Sequence, residues 1–155
     1  MHRLLRRLGV HPSDVDDAFQ EVFIVIHRKR AEFEYRSSVR SWVYGICIHV
    51  SSRYRRLRRV AREVAEEEAS EPVDPTTPIQ SASANEAREV LSAILDQLDG
   101  DKRAVFVLYE LEELSMQEIA HSLECPVQTA YSRLRAAREA VDAAVRRYRA
   151  QREFK

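Results

Sequence analysis

Glycine is nearly missing from this chain, with three in 155 residues, and proline is present only five times. So few turn formers predict a mostly helical protein. No apolar run approaches the ~20 residues a helix needs to span a bilayer. Arg3, Arg6 and Arg7 are followed by no apolar core, so the start does not read as a secretory signal, and a cytoplasmic protein is expected. Cysteine is scarce as well. Cys47 and Cys125 cannot make a disulfide framework, and two free thiols are expected in a reducing compartment.

Catalytic signatures are also lacking. His2, His11, His27, His49 and His121 are scattered, without an H-E-x-x-H pair or a Cys-x-x-Cys partner, so no metal is expected. There is no phosphate-cradling G-x-x-x-x-G-K-[ST] loop and no G-x-S-x-G elbow. The carboxylates fall in helix first turns or in one acidic block, where capping and solvation account for them. The sequence predicts no enzyme, no catalytic residue and no cofactor.

Net charge is zero, yet its distribution is uneven. Residues 1–62 hold 14 Arg/Lys against 6 Asp/Glu, residues 63–101 hold 1 against 11, and residues 102–155 hold 10 against 8. Opposed blocks of this kind suggest basic modules that meet phosphate on either side of an acidic connector. Any single charge run is more often a solvated face. That reading is weaker for 53–62, where six of ten residues are arginine.

The chain divides into two helical units. Residues 2–8 form the tail of a basic amphipathic helix, broken at Gly9 and Pro12. Ser13 or Asp14 can cap the next helix, whose Val15, Ala18, Phe19, Val22, Phe23 and Ile26 follow helical spacing. Ser37 or Ser38 caps a longer helix with Val39, Trp42, Val43, Ile46, Val50 and Leu57 expected on its apolar side and the arginines beyond. Between these helices, Phe33 and Tyr35 sit in a short polar connector, as packing plugs first and stacking platforms second. Residues 63–85, acidic and then rich in Pro, Ser and Thr, read as a flexible tether. The second unit, 86–155, opens with a helix through Leu98 that Gly100 is expected to stop.

Residues 115–138 carry the clearest functional signal. Ser115 and Glu118 have capping-box spacing. Glu124-Cys125 forms a turn, and Pro126 suits the first position of a second helix. On that helix Val127, Ala130, Leu134, Ala137 and Val141 make one apolar stripe, running on through Val145. Gln128, Tyr131, Ser132 and Arg135 make the opposite one. A helix with one face buried and Gln, Tyr, Ser and Arg on the other suits a DNA major groove. Tight helix pairs are common in all-α proteins without DNA. Here Arg133, Arg135 and Arg138, an outward stripe free of acid and a preceding basic unit favour DNA.

Taken in order, these residues resemble the sigma-70 family of bacterial RNA polymerase sigma factors, in its extracytoplasmic-function group. D-V-D-D-A-F-Q-E-V-F at 14–23 looks like the family's polymerase-docking motif. S-V-R-S-W-V-Y-G-I-C at 38–47 is similar to its promoter-melting, −10-reading helix, and the 113–134 segment to its −35-reading helix-turn-helix. The resemblance implies an all-α protein of two small domains, 1–62 like region 2 and 86–155 like region 4, joined by the 63–85 linker. Its partners would be core RNA polymerase, promoter DNA and an anti-sigma factor.

By the same resemblance Asp17, Gln20, Glu21 and Phe23 would dock on polymerase. Phe33, Tyr35 and Arg36 would meet an unpaired −10 base, where aromatics stack well on exposed bases. Trp42 would serve the core or the DNA, and Arg53, Arg55 and Arg56 the backbone. Gln128, Thr129, Tyr131, Ser132, Arg133, Arg135 and Arg138 would contact the −35 element. The pattern departs at the start, where the family carries more helix before His2, and at Glu124, Tyr131 and Ala136. Glu124 replaces a customary glycine, so a left-handed backbone there is costly. Two alternatives are a stand-alone helix-turn-helix regulator without polymerase docking and a sigma-like protein that titrates an anti-sigma factor.

Overall fold

The computed structural model describes residues 1–68 and 83–153, and every regular element among them is a helix. α1, His2–Arg7, is short, yet Leu4 and Leu5 are buried and pack it onto α2 and α3. It ends in a left-handed turn at Gly9 (φ 97°), where the Val10 N–H bonds the Leu5 carbonyl at 3.0 Å. A residue with a Cβ would be strained in that turn.

A tight turn at Pro12–Asp14 leads into α2, Val15–Lys29. Asp14 holds the cap position of α2, as expected of one of the two candidates, but its side chain makes no capping bond; that bond falls at the preceding turn. The His11 ring accepts from the Ser13 N–H at 3.3 Å, because the chain starts to coil one turn before α2 and that turn leaves the Ser13 donor unmatched. Val15, Ala18 and Val22 are buried as their spacing predicts, but Phe23 is half exposed. At ~100° per residue it stands about 80° round the helix from Val15, on the edge of the stripe.

α3, Val39–Glu68, starts where the Ser38 hydroxyl accepts from the Ser41 N–H at 3.1 Å, so Ser38 is the cap. It has 30 residues. No proline lies within it, so the arginine run and the first glutamates continue as one rod of ~45 Å. α4 covers Ser83–Asp96. Of the expected 63–85 connector, residues 69–82, with its prolines, lie outside the described residues.

Gly100 does not stop α4, which ends at Asp96. It opens α5, Gly100–Phe106, because the Asp99 carboxylate accepts from the Lys102 N–H at 3.0 Å and caps a new helix. α5 widens into a single π turn at Val107–Leu111. α6, Met116–Ser122, and α7, Val127–Glu153, follow, with α7 running past Val145.

The two units share one contiguous hydrophobic core. Leu5, Val22, Cys47 and Val50 of the first and Val105, Leu108, Ile119 and Leu134 of the second belong to the same buried cluster, and α3 meets α6 at the seam. Burying each such side chain contributes roughly 1.5–3 kcal/mol. Among the described residues no helix is long and apolar enough to cross a membrane.

Candidate nucleic-acid interface

The α6–α7 pair is built as its sequence spacing predicts. Ser115 and Glu118 form a reciprocal capping box: the Ser115 hydroxyl accepts from the Glu118 N–H at 3.3 Å and the Glu118 carboxylate accepts from the Ser115 N–H at 3.0 Å. Glu124 takes the left-handed conformation (φ 50°), and the Cys125 N–H closes the turn on the Ala120 carbonyl at 3.0 Å. Pro126 lies one position before the helix, its carbonyl accepting from the Ala130 N–H at 3.1 Å. It serves as the cap rather than as the first helical residue.

On α7, Ala130, Leu134 and Ala137 are buried, while Gln128, Tyr131, Ser132 and Arg135 are exposed. Thr129 is half-buried beside them. The Ser132 hydroxyl turns onto its own helix, donating to the Gln128 and Thr129 carbonyls at 3.0 and 3.1 Å. Arg133 pairs with Asp101 at 2.6 Å. Arg138 donates to Glu110 at 2.6 Å and lies 5.3 Å over the Tyr109 ring. Arg135 is open, its side chain 82% exposed, with Glu139 at 4.0 Å.

In the first unit, Asp17, Gln20 and Phe23 are exposed along α2, and Ile24 beside Phe23 is equally exposed. Ile24 lies off the apolar stripe, and that misplacement is the only sequence signal that could have singled it out. Glu21 is not free on that face, since it accepts from Arg53 at 2.6 Å. Phe33 and Tyr35 divide their roles. Phe33 is half-buried with its ring centroid 5.2 Å from that of Trp42, whereas Tyr35 is 85% exposed in a left-handed conformation (φ 56°). Trp42 is half-buried and packs on the core cluster. Arg36 is paired with Glu34 at 2.7 Å and exposed.

The three α3 arginines do not form one surface. Arg53 turns to α2, and Arg56 faces solvent. Arg55 is half-buried against Gly9 and Gly100, and its pKa is lowered, first by burial and then by the neighbouring Arg103 cation. At ~100° per residue, positions 53, 55 and 56 point in three directions round the helix. Among the described residues no cluster of His, Cys, Asp or Glu could hold a metal ion.

The comparisons match both units in order. Residues 1–63 match the sigma-70 region 2 family and residues 88–141 match sigma-70 region 4. The ECF RNA polymerase sigma-E factor of Escherichia coli K12 is 32% identical over 142 residues, covering 86% of this chain and 74% of that protein. The chain belongs to the sigma-70 family, in its extracytoplasmic-function group. The RNA polymerase sigma-H factor of Pseudomonas aeruginosa is 30% identical over 151 residues, or 92% of this chain and 78% of that one.

Two solved structures share the fold. One is RpoE of Bartonella quintana in complex with the anti-sigma factor NepR (TM-score 0.70, 20% identity, 94% of this chain and 89% of that one). The other is CnrH in complex with the cytosolic domain of CnrY (TM-score 0.67, 24% identity, 93% and 79%). As a sigma factor, this chain is a transcription initiation factor that works with core RNA polymerase and promoter DNA, and the family is not one of enzymes.

Proposed function

We propose that residues 1–62 and 86–155 divide the sigma factor's work between polymerase docking with −10 recognition and −35 recognition, inside the cytoplasm. The observation that carries this reading is the helix-turn-helix, whose outward stripe of Gln128, Tyr131, Ser132 and Arg135 is exposed while its inward stripe is buried. Such a stripe can reach base edges in the major groove, with Thr129, Arg133 and Arg138 flanking it. On α2, exposed Phe23 offers polymerase an apolar anchor ringed by Asp17, Gln20 and Glu21. Tyr35, open to solvent with its ring 4.8 Å from that of Phe33, is the base-stacking residue; Phe33 rests in turn on Trp42, Arg56 faces solvent to meet phosphate, and Arg36 would do so by leaving Glu34.

An anti-sigma factor is the third partner, as in the solved complex of RpoE with NepR. Run-off transcription with purified core polymerase on promoters from the native genome tests the assignment. Core with this protein should yield transcripts that core alone does not. Phe23→Ala should abolish them by preventing docking, and Tyr35→Ala should lower them at least tenfold with docking intact. Equal transcription with and without the protein on every promoter would sink the reading.

A further inference from the structure

Between α1 and α4 opens a cleft of about 420 Å³, and its walls are cationic. Arg3, Arg6 and Arg7 enter from α1, where spacings of three and four residues set them on one helix face. Arg88 enters from α4, with Ser92 one turn further along that helix. The floor is apolar: Leu91 is half-buried and Leu95 is 1% exposed. His2, stacked on Phe19 at 4.0 Å and 3.2 Å from Asp16, completes the α1 wall. Among the described residues no carboxylate lines the cleft.

Arg7 is matched, its guanidinium 3.0 Å from Glu112. Arg3 and Arg6 are exposed, and among the described residues neither side chain has an acidic partner. Like charges three and four residues apart on a helix destabilise it, and an anion set between them removes that cost. Cations at a helix end are favourable, which accounts for Arg6 and Arg7 in the last turn of α1. It does not account for Arg3, which lies in the first turn, where a cation opposes the helix dipole. Nor does it account for Arg88, brought to the same cleft by another helix.

Guanidinium groups bind phosphate through paired N–H donors. A single phosphate occupies one or two of them, so arginines converging from two helices suit a chain of phosphates. The leucine floor suits a ring, and the volume falls within the ~300–1,000 Å³ of small-molecule sites.

We propose that this cleft binds a nucleoside polyphosphate, with Arg3, Arg6 and Arg88 on the phosphates and Leu91 and Leu95 under the nucleoside. Ser92 offers the sugar a hydroxyl. The site goes beyond the sigma-factor reading and does not depend on it, because no residue of the cleft belongs to the faces assigned to polymerase or to the promoter.

Calorimetric titration of the full chain with ATP, GTP, AMP and tripolyphosphate tests the site, at a salt of about 0.15 M that screens loose surface attraction. ATP or GTP should bind once per chain. It should bind at least about tenfold tighter than AMP, which lacks the chain of phosphates, and several-fold tighter than tripolyphosphate, which lacks the ring. R3A/R6A should weaken that binding at least about tenfold; both side chains are exposed, so buried Leu4 and Leu5 keep α1 in place. Arg88→Ala, on the opposite wall, should do the same and carries the test should R3A/R6A not fold. R56A/R135A should bind ATP as the wild type does. Absence of saturable binding by either nucleotide below about 1 mM overturns the proposal. Equal affinity for ATP and tripolyphosphate overturns it as well, since the cleft would then be a plain polyanion patch. So does binding lost in R56A/R135A but kept in R3A/R6A, which would put the anion on the DNA-reading faces.

Discussion

Single side chains at the helix-turn-helix set its pH limits. Glu118 accepts from the Ser115 N–H, the Ser115 hydroxyl and the Ser38 hydroxyl, in that order of effect, and these bonds hold its carboxyl below the usual range. A depressed carboxyl contributes stability above its unfolded value of about 4.3 and loses it as pH falls through the folded value. Stability should therefore decline on acidification below about pH 4.5. Ser115→Ala should cost ~1 kcal/mol at pH 7, and Glu118→Gln, which has no carboxyl to protonate, should flatten that acid limb. Urea midpoints from pH 3 to 7 check both, and a parallel acid limb in Glu118→Gln would rule out this origin. The two thiols differ as sharply. Burial pushes Cys47 up to about 12, so it stays protonated at pH 8, whereas Cys125 is only half-buried. Native protein should take up one iodoacetamide at pH 8, and Cys125→Ser none until denatured; two alkylations in the folded state would contradict the burial of Cys47.

At the scale of elements, the turn between α6 and α7 joins what the sequence announces to what folding decides. Glu124 was legible as a strained position, and it is left-handed at φ 50°. Its contact with His49 spans 3.8 Å between two exposed side chains, and such pairs are worth little. Glu124→Gly should thus stabilise the protein by roughly 1 kcal/mol, raising the melting midpoint by a few degrees; a lower midpoint would show that the turn is not strained. Helices with a clean stripe and a cap, α2 and the α6–α7 pair, were readable because periodicity and capping are local. Three features were not. Gly100 reads equally as an end or a beginning, and only the Asp99 cap decides. Charge does not stop a helix, so the arginine run of α3 passed unbroken into its glutamates. Phe23 has the chemistry of a core residue and lies at a stripe's edge, where the tertiary neighbour, not the spacing, sets exposure. Within the candidate interface, residue types were legible but pairings were not: nothing local tells that Glu21 holds Arg53 or that Asp101 holds Arg133.

Across the whole molecule, Arg103 joins what the sequence divides. It is 4% exposed, yet its Nε donates to the Arg7 carbonyl at 2.6 Å and its guanidinium reaches the Arg6 carbonyl at 3.3 Å and Asp96 at 2.7 Å. The carbonyls lie at the end of α1, where a helix leaves acceptors unmatched, so an arginine of the second unit completes a helix of the first. With one core shared between the units, thermal unfolding should appear as a single calorimetric transition whose calorimetric and van't Hoff enthalpies agree. Arg103→Ala removes the bridge and takes its arginine donor from the Arg7 carbonyl, while the Arg6 carbonyl keeps the Gly9 N–H at 3.0 Å. It should cost about 2 kcal/mol, the order of a hydrogen bond from a charged donor, because Asp96 is 63% exposed and its ion pair adds little. The loss falls on the contact between units more than on either unit, because the apolar neighbours of each remain. The variant should therefore melt in two steps, the lower belonging to the first unit, whose core is closed by two short turns of α1. A variant that melts in one step at a lower temperature would mean that the units cannot fold apart and that the seam is part of a single cooperative core.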